Sequence, residues 1–510
     1  MIEVSRRGLP ARDVIAVARE DAVANLAEDA RAAMSESAEV VRRLASSDEP
    51  AYGVSTGFGS MATTRIPADR RSDLQRALIR SHAAGMGPPV EAEVVRAMML
   101  LRARTLAMGY SGARPEVPDA ILAVLNAGLT PVVPEHGSLG ASGDLAPLAH
   151  CALALIGEGE VLDEAENRVG AADALAAQGI EPLVLTAKEG LALINGTDGI
   201  LGMLLLATED LRGLVRVADV TAAMSVEALL GTDRAFAEDL IALRPQAGQG
   251  VSAANLIRLL DGSAVVASHR YDDPRVQDAY SLRCAPQVNG AVRDTLAHAE
   301  RVAEAELSAA IDNPMVLPDG RVESCGNFHG EPLAFVCDFL AIASAELGSI
   351  AERRTDRILD ASRSYGLPPF LADHPGVDSG LMLAQYTQAA MVAENRRLAA
   401  PASVDSLPTS AMQEDHISMG WGAARKLRVS IANLGRILAV ELTCAARALE
   451  LRAPLEPAAG TGAALAAVRS AGVRGPGVDR WLAPELAAAE RLVASGGLVS
   501  AVEGSIGELE

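Results

Sequence analysis

The chain has 510 residues, of which 49% are hydrophobic, 22% charged and 3% aromatic, so we expect one large globular unit or two to three domains. Its 66 acidic and 45 basic residues give a formal net charge of −21, which disfavours nucleic acid and anionic membrane surfaces as partners. No apolar run is expected to reach the length of a membrane span, and the first residues lack the apolar core of a signal peptide.

Two polar, glycine-flanked segments come first along the chain. In "YGVSTGFG" (52–59), Tyr52 precedes three glycines, and in "RSHAAGMG" (80–87), His82 lies near two more. Each segment also has a simple structural interpretation, because a lone histidine near glycine is more often part of a capped turn than of a reaction site.

A denser segment follows, "GSLGASGDLAPLAH" (137–150), in which three glycines surround Ser142. Each glycine would cost a helix about 1 kcal/mol relative to alanine, so the segment needs backbone freedom or close approach to its backbone. A phosphate-binding loop would need a lysine, a nucleophile elbow would need glycine in place of Asp144, and the spacing does not fit a dinucleotide loop. An ordinary glycine-rich turn remains open at this point.

Four further polar segments lie between apolar runs: "INGTDG" (194–199), "QDAYSLRCAPQVNG" (277–290), "CGNFHG" (325–330) and "TSAMQEDHISMG" (409–420). Their candidate site residues are Asn195, Gln277, Tyr280, Arg283, Phe328, Gln413 and Glu414. Taken singly, they fit a solvated helix start or a surface pair. Six such segments together indicate loops that converge on one polar site in a helical scaffold.

Long helices dominate the second half of the chain. We predict a helix within 291–314, ended by the Asn-Pro pair, a buried helix over 332–352, and an amphipathic helix over 427–449 that is roughly 35 Å long. A Pro/Gly/Ala-rich excursion (452–478) precedes a last helix from about Pro484. The Ala-rich helices and weak strand signals predict a mainly α fold of close-packed antiparallel bundles.

The polar segments together resemble the histidine ammonia-lyase family, within the aromatic amino acid lyases, from Tyr52 to about Arg452. This resemblance implies a long antiparallel helical bundle of the fumarase/histidase-like type with a smaller N-terminal domain. We assign residues 1–200 to the domain that carries the glycine-rich loop and 201–510 to the bundle. It also implies a homotetramer whose active sites combine residues from three subunits.

The resemblance implies that Ala141-Ser142-Gly143 cyclises without another enzyme into 4-methylidene-imidazol-5-one. The amide nitrogen of Gly143 would attack the carbonyl carbon of Ala141, and Ser142 would lose water to leave an exocyclic methylene. A side chain on Gly143 would hinder that attack. Such a backbone-built electrophile does work usually given to a cofactor, so we expect no metal and no nucleotide. The eight histidines also lack metal-ligand spacing.

By the same resemblance, Tyr52 is the base that removes the β-proton of the substrate. Arg283 suits the substrate carboxylate through a bidentate pair, with Gln277 as a helper. The remaining residues implied by the family line the prosthetic group or wall the pocket: Asn195, Tyr280 and Phe328.

Substrate choice is expected from two segments. Ser81-His82 is the histidine-lyase type of pair, and Glu414, after Gln413, is of the same type. A carboxylate can accept the N–H of an imidazole, whereas a phenyl ring would leave it unpaired. We therefore expect L-histidine as the substrate, with urocanate and ammonia as products.

Three other interpretations stay open at this stage: a tyrosine ammonia-lyase, a 2,3-aminomutase that uses the same prosthetic group, and a non-catalytic helical assembly protein. The five cysteines are far apart and lack a C-x-x-C pair, so we expect reduced thiols in a cytoplasmic protein.

Overall fold

Helices make up most of the protein. The computed structural model describes residues 1–46, 53, 55–57, 61, 63–67, 70–140, 142–271 and 273–510. The described helices are α1 (Ala11–Arg19), α2 (Glu28–Ala45), α3 (Arg71–His82), α4 (Ala92–Ala107), α5 (Glu116–Asn126), α6 (Leu145–Leu155), α7 (Ala171–Ala177), α8 (Glu189–Ile194), α9 (Asp198–Ala228), α10 (Glu238–Ala242), α11 (Ala247–Leu260), α12 (Ala264–Ala267), α13 (Tyr280–Arg283), α14 (Ala285–Leu307), α15 (Glu331–Leu359), α16 (Met382–Leu398), α17 (Gly420–Glu450), α18 (Ala459–Ser470), α19 (Ala483–Ala494) and α20 (Gly497–Ile506). The mainly α fold class is confirmed.

The described strands are short: β1 (Ile2–Val4), β2 (Ala24–Leu26), β3 (Met86–Pro89), β4 (Thr130–Pro131), β5 (Pro134–His136), β6 (Glu160–Leu162), β7 (Arg168–Gly170), β8 (Met315–Val316) and β9 (Val322–Glu323). β1 pairs in parallel with β2, with Ile2 opposite Ala24. The pairs β3–β5 and β8–β9 and the three-stranded sheet β4–β6–β7 are antiparallel.

The chain forms two compact units, each built from three segments. Unit 1 comprises Met1–Leu206, Glu300–Cys337 and Pro401–Arg425, and unit 2 comprises Ala207–Ala299, Asp338–Ala400 and Lys426–Glu510. The assignment of 1–200 and 201–510 to two domains stays a prediction.

The core of unit 1 is built around α4, which packs against α1 and α5. Every residue from Val94 to Ala107 is buried, including Arg102 and Arg104. Buried guanidinium groups need partners, and these two find backbone carbonyls. Arg102 donates to the carbonyl of Ile311 at 2.9 Å, and Arg104 donates to that of Ala309.

The helix predicted within 291–314 ends earlier than expected, and these two hydrogen bonds explain why. α14 ends at Leu307, well before the Asn-Pro pair that was expected to stop it. Because the carbonyls of Ala309 and Ile311 accept from arginines of α4, they are directed toward tertiary partners. A contact remote in sequence therefore sets this boundary.

Unit 2 is held together by a buried carboxylate on its longest helix. Glu441 of α17 accepts from Thr221 and Ser225 of α9, each at 2.8 Å, and forms an ion pair with Arg354 of α15. The side chains of Arg354 and Glu441 are both 0% exposed. Donors from α9 and α15 thereby satisfy both carboxylate oxygens of Glu441. These bonds fix the register of the three helices.

The long-helix predictions for 332–352 and 427–449 are confirmed by α15 and α17, with one correction. α15 is not buried all round, because Phe335, Phe339 and Ile342 are 45%, 42% and 46% exposed. A second correction concerns the excursion 452–478, whose middle part is helical as α18. The last predicted helix is present as α19, which begins at Ala483.

The expectation about membrane-length segments also needs correction. Two described helices, α15 and α17, are long and apolar enough to cross a membrane by length and composition alone. Within the protein, 72% and 78% of their most apolar windows are buried, as is usual for core helices.

We predict that Glu441→Ala strongly destabilises the protein, because it leaves Arg354 buried and unpaired. Removing one partner of a buried ion pair typically costs about 3–5 kcal/mol. The matched control is Glu490→Ala, which removes a pair with Arg436 whose side chains are 41% and 48% exposed, respectively. Exposed pairs contribute about 0–1 kcal/mol. Calorimetry should show a much larger fall in apparent Tm for Glu441→Ala, and equal shifts would contradict this account.

Candidate active site

The glycine-rich loop of unit 1 has a tightly bent backbone. Ser142 and Gly143 both have positive φ, 50° and 76°, and Gly140 pairs with Gly143 across the bend. Gly143 also pairs with Gly196, and a Cβ on Gly143 would overlap the backbone carbonyl of Gly196. Only glycine fits this position, because any side chain would separate the two segments.

Asp144 joins this loop to the start of α9. Its carboxylate is fully buried; one oxygen accepts from the Ser138 hydroxyl at 2.9 Å. The other accepts from the backbone N–H groups of Gly199 and Ile200, at 2.9 and 3.0 Å. These two donors belong to the first turn of α9, where N–H groups lack helical partners and favour negative charge. Burial nevertheless raises the pKa of Asp144 to about 7, against the opposing effect of these hydrogen bonds.

The segment that leads into α17 also packs against the bend. The Ser418 hydroxyl donates to the carbonyl of Gly140 at 3.3 Å, and a Cβ on Gly140 would overlap that hydroxyl. The indole of Trp421 donates to the carbonyl of Glu135 at 2.7 Å. A Cβ on Gly330 would lie 3.3 Å from the Ser418 hydroxyl, so the segment 325–330 reaches the same place. The segments 137–143, 194–199, 325–330 and 409–420 therefore meet within unit 1.

Asn195 follows α8 and lies next to Gly196, the partner of Gly143. It is 2% exposed, and its side-chain nitrogen donates to Asp312 at 3.2 Å and to the carbonyl of Asn313 at 2.9 Å. No described residue donates to its side-chain oxygen, which is buried. Arg102 holds the backbone carbonyl of Asn195 at 2.7 Å.

His82 and Glu414 are close enough for the charge of Glu414 to act on His82. Burial lowers the pKa of His82, while a hydrogen bond to the carbonyl of Leu78 and the charge of Glu414 oppose that effect. His82 Nδ1 lies 2.9 Å from that carbonyl. Because a carbonyl only accepts, Nδ1 carries the proton and Nε2 of the neutral ring is an acceptor.

Glu414 is held by a strained loop. Thr409 donates its hydroxyl to Glu414 Oε2 at 2.6 Å, and the two residues also pair through their backbones. Between them, Ser410, Ala411 and Met412 all have positive φ, from 49° to 71°. Non-glycine residues in this region store backbone strain, which is concentrated at functional sites.

The other predicted residues of unit 1 have more open surroundings. Phe328 is half-buried, and Gln413 is exposed. His329 and His416, from the same two segments, have stacked rings with centroids 5.8 Å apart. Tyr52 and Ala141 lie outside the described residues.

Three predicted residues belong to unit 2. The guanidinium of Arg283 lies over the ring of Tyr280, 4.7 Å from its centroid, and the Tyr280 side chain is 70% exposed. Gln277 lines a small cavity of about 140 Å³ whose wall includes Arg234, Arg270 and other charged residues. Gln277 and Tyr280 are therefore exposed at the surface of unit 2, whereas Arg283 is half-buried.

Sequence reasoning missed several side chains that hold the site in place: Ser138, Lys188, Asp312 and Ser418. Lys188 is fully buried and pairs with Asp312 at 2.8 Å. One signal was available, because Lys188 lies with Glu189 between two apolar runs, and a buried lysine requires a partner. Nothing in the sequence identified that partner, which lies 124 residues away.

Among the residues that the structure describes, no group of three His, Cys, Asp or Glu side chains is arranged to hold a metal ion.

Comparison with known proteins identifies the class of enzyme to which this mainly helical scaffold and its glycine-rich loop belong. The family model described as aromatic amino acid lyase matches residues 9–470. The chain belongs to the aromatic amino acid lyase family and to the carbon–nitrogen lyases. The resemblance found from the motifs and the predicted enzyme class are confirmed.

Three relatives narrow the comparison. A protein of Streptomyces avermitilis named histidine ammonia-lyase is 61% identical over 508 residues, covering 100% of this chain and 99% of that protein. The solved histidine ammonia-lyase of Trypanosoma cruzi is 38% identical with a TM-score of 0.90, covering 99% of this chain and 95% of that one. The solved tyrosine aminomutase of Streptomyces globisporus is also 38% identical, with a TM-score of 0.94 and full coverage of both chains. The histidase-like form of the fold is thereby confirmed.

We predict that Asp144→Asn changes the pH dependence of stability. The folded state keeps the Asp144 proton up to about pH 7, whereas the unfolded chain releases it near pH 4, so the folded state binds more protons in between. Stability from this group therefore falls as pH rises from about 4 to about 7 and is level above that range. Apparent Tm values across this range should show the wild type losing stability relative to Asp144→Asn. A constant difference between the two proteins would contradict the raised pKa.

Proposed function

We propose that this chain is a histidine ammonia-lyase that converts L-histidine to trans-urocanate and ammonia. The observation that carries the proposal is the 61% identity, over the whole chain, to a relative named histidine ammonia-lyase. That identity supports the activity predicted from Ser81-His82 and Glu414.

The acceptors near the predicted ring site support histidine as the substrate. His82 offers Nε2 as an acceptor, and Glu414 offers a carboxylate whose Oε2 is held by Thr409. An imidazole carries an N–H that either group can accept. A phenyl ring has no donor, so both half-buried acceptors would lose water without replacement when it binds, which disfavours phenylalanine.

The loop geometry supports a prosthetic group made from Ala141-Ser142-Gly143, and the described residues of that tripeptide fit it. Gly143 has no room for a side chain, and the bend at Ser142 and Gly143 shortens the backbone path that cyclisation must close. When formed, 4-methylidene-imidazol-5-one supplies an electrophile for the amine of the substrate. Asp144 and Ser138 hold the backbone of the loop, and Tyr52 is proposed as the base for the β-proton.

We further propose that Arg283 and Gln277 bind the substrate carboxylate and that Tyr280 completes the site in a homotetramer with shared active sites. The exposure of Tyr280 supports a role toward another copy of the chain. All five cysteines are unpaired, which supports the proposed cytoplasmic location.

An aminomutase is the second candidate, favoured by the TM-score of 0.94 to a tyrosine aminomutase. A phenol O–H could also donate to His82 or Glu414, so tyrosine must be tested directly. Incubation of purified protein with L-histidine and L-tyrosine separately distinguishes the candidates. We expect urocanate from histidine; coumarate or a β-amino acid from tyrosine, without urocanate, would overturn the proposal.

Ser142→Ala should leave the protein folded and abolish the deamination of L-histidine, because no methylidene can form. Intact-protein mass spectrometry should show that the wild type has lost two water molecules and that the variant has lost none. Ser495→Ala is the control, since it removes an exposed hydroxyl at the end of α19 and leaves the tripeptide and its loop intact. Substantial turnover of histidine by Ser142→Ala would refute the proposed prosthetic group.

Glu414→Gln combined with His82→Leu should weaken the use of histidine and admit phenylalanine, because the acceptors that a phenyl ring leaves unpaired are gone. A site built around a ring N–H favours it over an apolar analogue by about 10⁴-fold or more, so each change should cost a large part of this ratio. The measurement is kcat/KM for three amino acids in the wild type, both single variants and the double variant. Unchanged histidine use in all variants would remove both residues from the ring site.

A further inference from the structure

The orientation of the Asn195 amide is determined by its neighbours. Its nitrogen faces the carboxylate of Asp312 and the carbonyl of Asn313, at 3.2 and 2.9 Å. Both of these groups only accept hydrogen bonds, so the NH₂ group must face them. Both amide hydrogens are thereby used, and the oxygen Oδ1 is left as the only group of this side chain available to a ligand.

Asp312 is in turn oriented by Lys188. One carboxylate oxygen accepts from Lys188 Nζ at 2.8 Å, and the other accepts from Asn195 and from the backbone N–H of Asn313. The ammonium of Lys188 has a second acceptor, the carbonyl of Ser111, at 3.0 Å. Lys188 and Asp312 are both 0% exposed. A buried pair of this kind is costly to form, and its best supported role is to enforce one arrangement.

The open Oδ1 requires a donor. It is buried and no described residue donates to it. A carboxylate cannot serve, because it only accepts. A methylidene-imidazolone ring formed from the tripeptide carries no N–H either. The α-ammonium or amine of an amino acid has N–H donors and belongs at this site.

We infer that Lys188 and Asp312 are positioning residues that hold Asn195 Oδ1 as the acceptor for the substrate amine. This inference rests on the proposed function. It assigns the amine of the substrate, and not the carboxylate, to Asn195, because an acceptor such as Oδ1 binds only a group that carries a donor. Lys188 and Asp312 act through Asn195 and do not themselves touch the substrate.

The test is Asp312→Asn in a Ser142→Ala background, in which no electrophile forms and binding is noncovalent. The amide that replaces the Asp312 carboxylate can take two orientations. In one, its oxygen accepts from Lys188 and its NH₂ group faces the NH₂ group of Asn195, so that two donors meet there. In the other, its NH₂ group faces the ammonium of Lys188, so that two donors meet at that place instead. Three probes are titrated by calorimetry: L-histidine, L-histidinol, which lacks the carboxylate, and imidazole-4-propionate, which lacks the amine.

We expect Kd for L-histidine and L-histidinol to rise about tenfold or more, as for the loss of one charge-assisted hydrogen bond. Kd for imidazole-4-propionate should stay within about twofold, because it offers no amine to Oδ1. Lys188→Met combined with Asp312→Asn should recover part of the loss, since the new amide can then turn its oxygen to Asn195. Lys188→Met alone should raise Kd for the same two probes, L-histidine and L-histidinol. It replaces Asp312→Asn as the test variant if Asp312→Asn does not fold.

The matched control is Glu189→Gln, which disturbs the ion pair of the neighbouring buried Glu189 with the partly exposed Arg114 and does not touch Asn195. It should leave all three Kd values unchanged. With Ser142 intact, mass spectrometry of Asp312→Asn should still show the loss of two water molecules. A lower kcat of this variant would then not be caused by failure to form the prosthetic group.

An equal rise in Kd for imidazole-4-propionate would overturn the inference. Unchanged Kd values for all three probes would also overturn it, and so would the same rises in Glu189→Gln. If the Ser142→Ala parent does not bind L-histidine and the wild type does not deaminate it, the proposed function fails first. If the parent binds histidine and the probe pattern is absent, only the assignment of Asn195, Asp312 and Lys188 fails.

Discussion

The carboxylate of Asp144 is the interaction on which the site depends. It is fully buried, and it accepts from Ser138 in its own loop and from the first turn of α9. Without it, the first turn of α9 would have two buried N–H groups without acceptors, and the loop would lose its link to that helix. The pairing of Gly143 with Gly196 then follows, because both segments are held at their ends by the same residue.

A second feature of the site is that its polar side chains are oriented by partners that can play one role only. The carbonyl of Leu78 makes Nδ1 of His82 the donor, and two acceptors turn the NH₂ group of Asn195 away from its open side. Each of these side chains therefore presents an acceptor at the site without relying on a charge of its own. Preorganised groups of this kind need no rearrangement when a ligand binds, which is how a site gains specificity.

Both units contain buried ion pairs, and the two have different surroundings. Glu441 and Arg354 tie three helices of unit 2 together, with two hydroxyls completing the acceptor positions. Lys188 and Asp312 lie beside Asn195 in unit 1, where the pair controls a single amide. Replacement of such pairs by apolar residues is often neutral in stability, so their retention fits the enforcement of one geometry better than added stability.

The sequence by itself determined α15, α17 and α19, because apolar periodicity is local and survives into the structure. It also determined the glycine-rich loop and the Ser81-His82 and Glu414 pattern, since residue types and their spacing are visible in the sequence itself. Only the tertiary structure decided that α14 ends at Leu307, that α18 forms within a Pro/Gly-rich stretch, and that α15 exposes Phe335, Phe339 and Ile342. It also decided the partners of Lys188 and Asp144, which lie up to 124 residues away. The physical reason is that hydrogen-bond acceptors for buried groups are chosen by proximity in space, and local pattern carries no information about which distant segment supplies them.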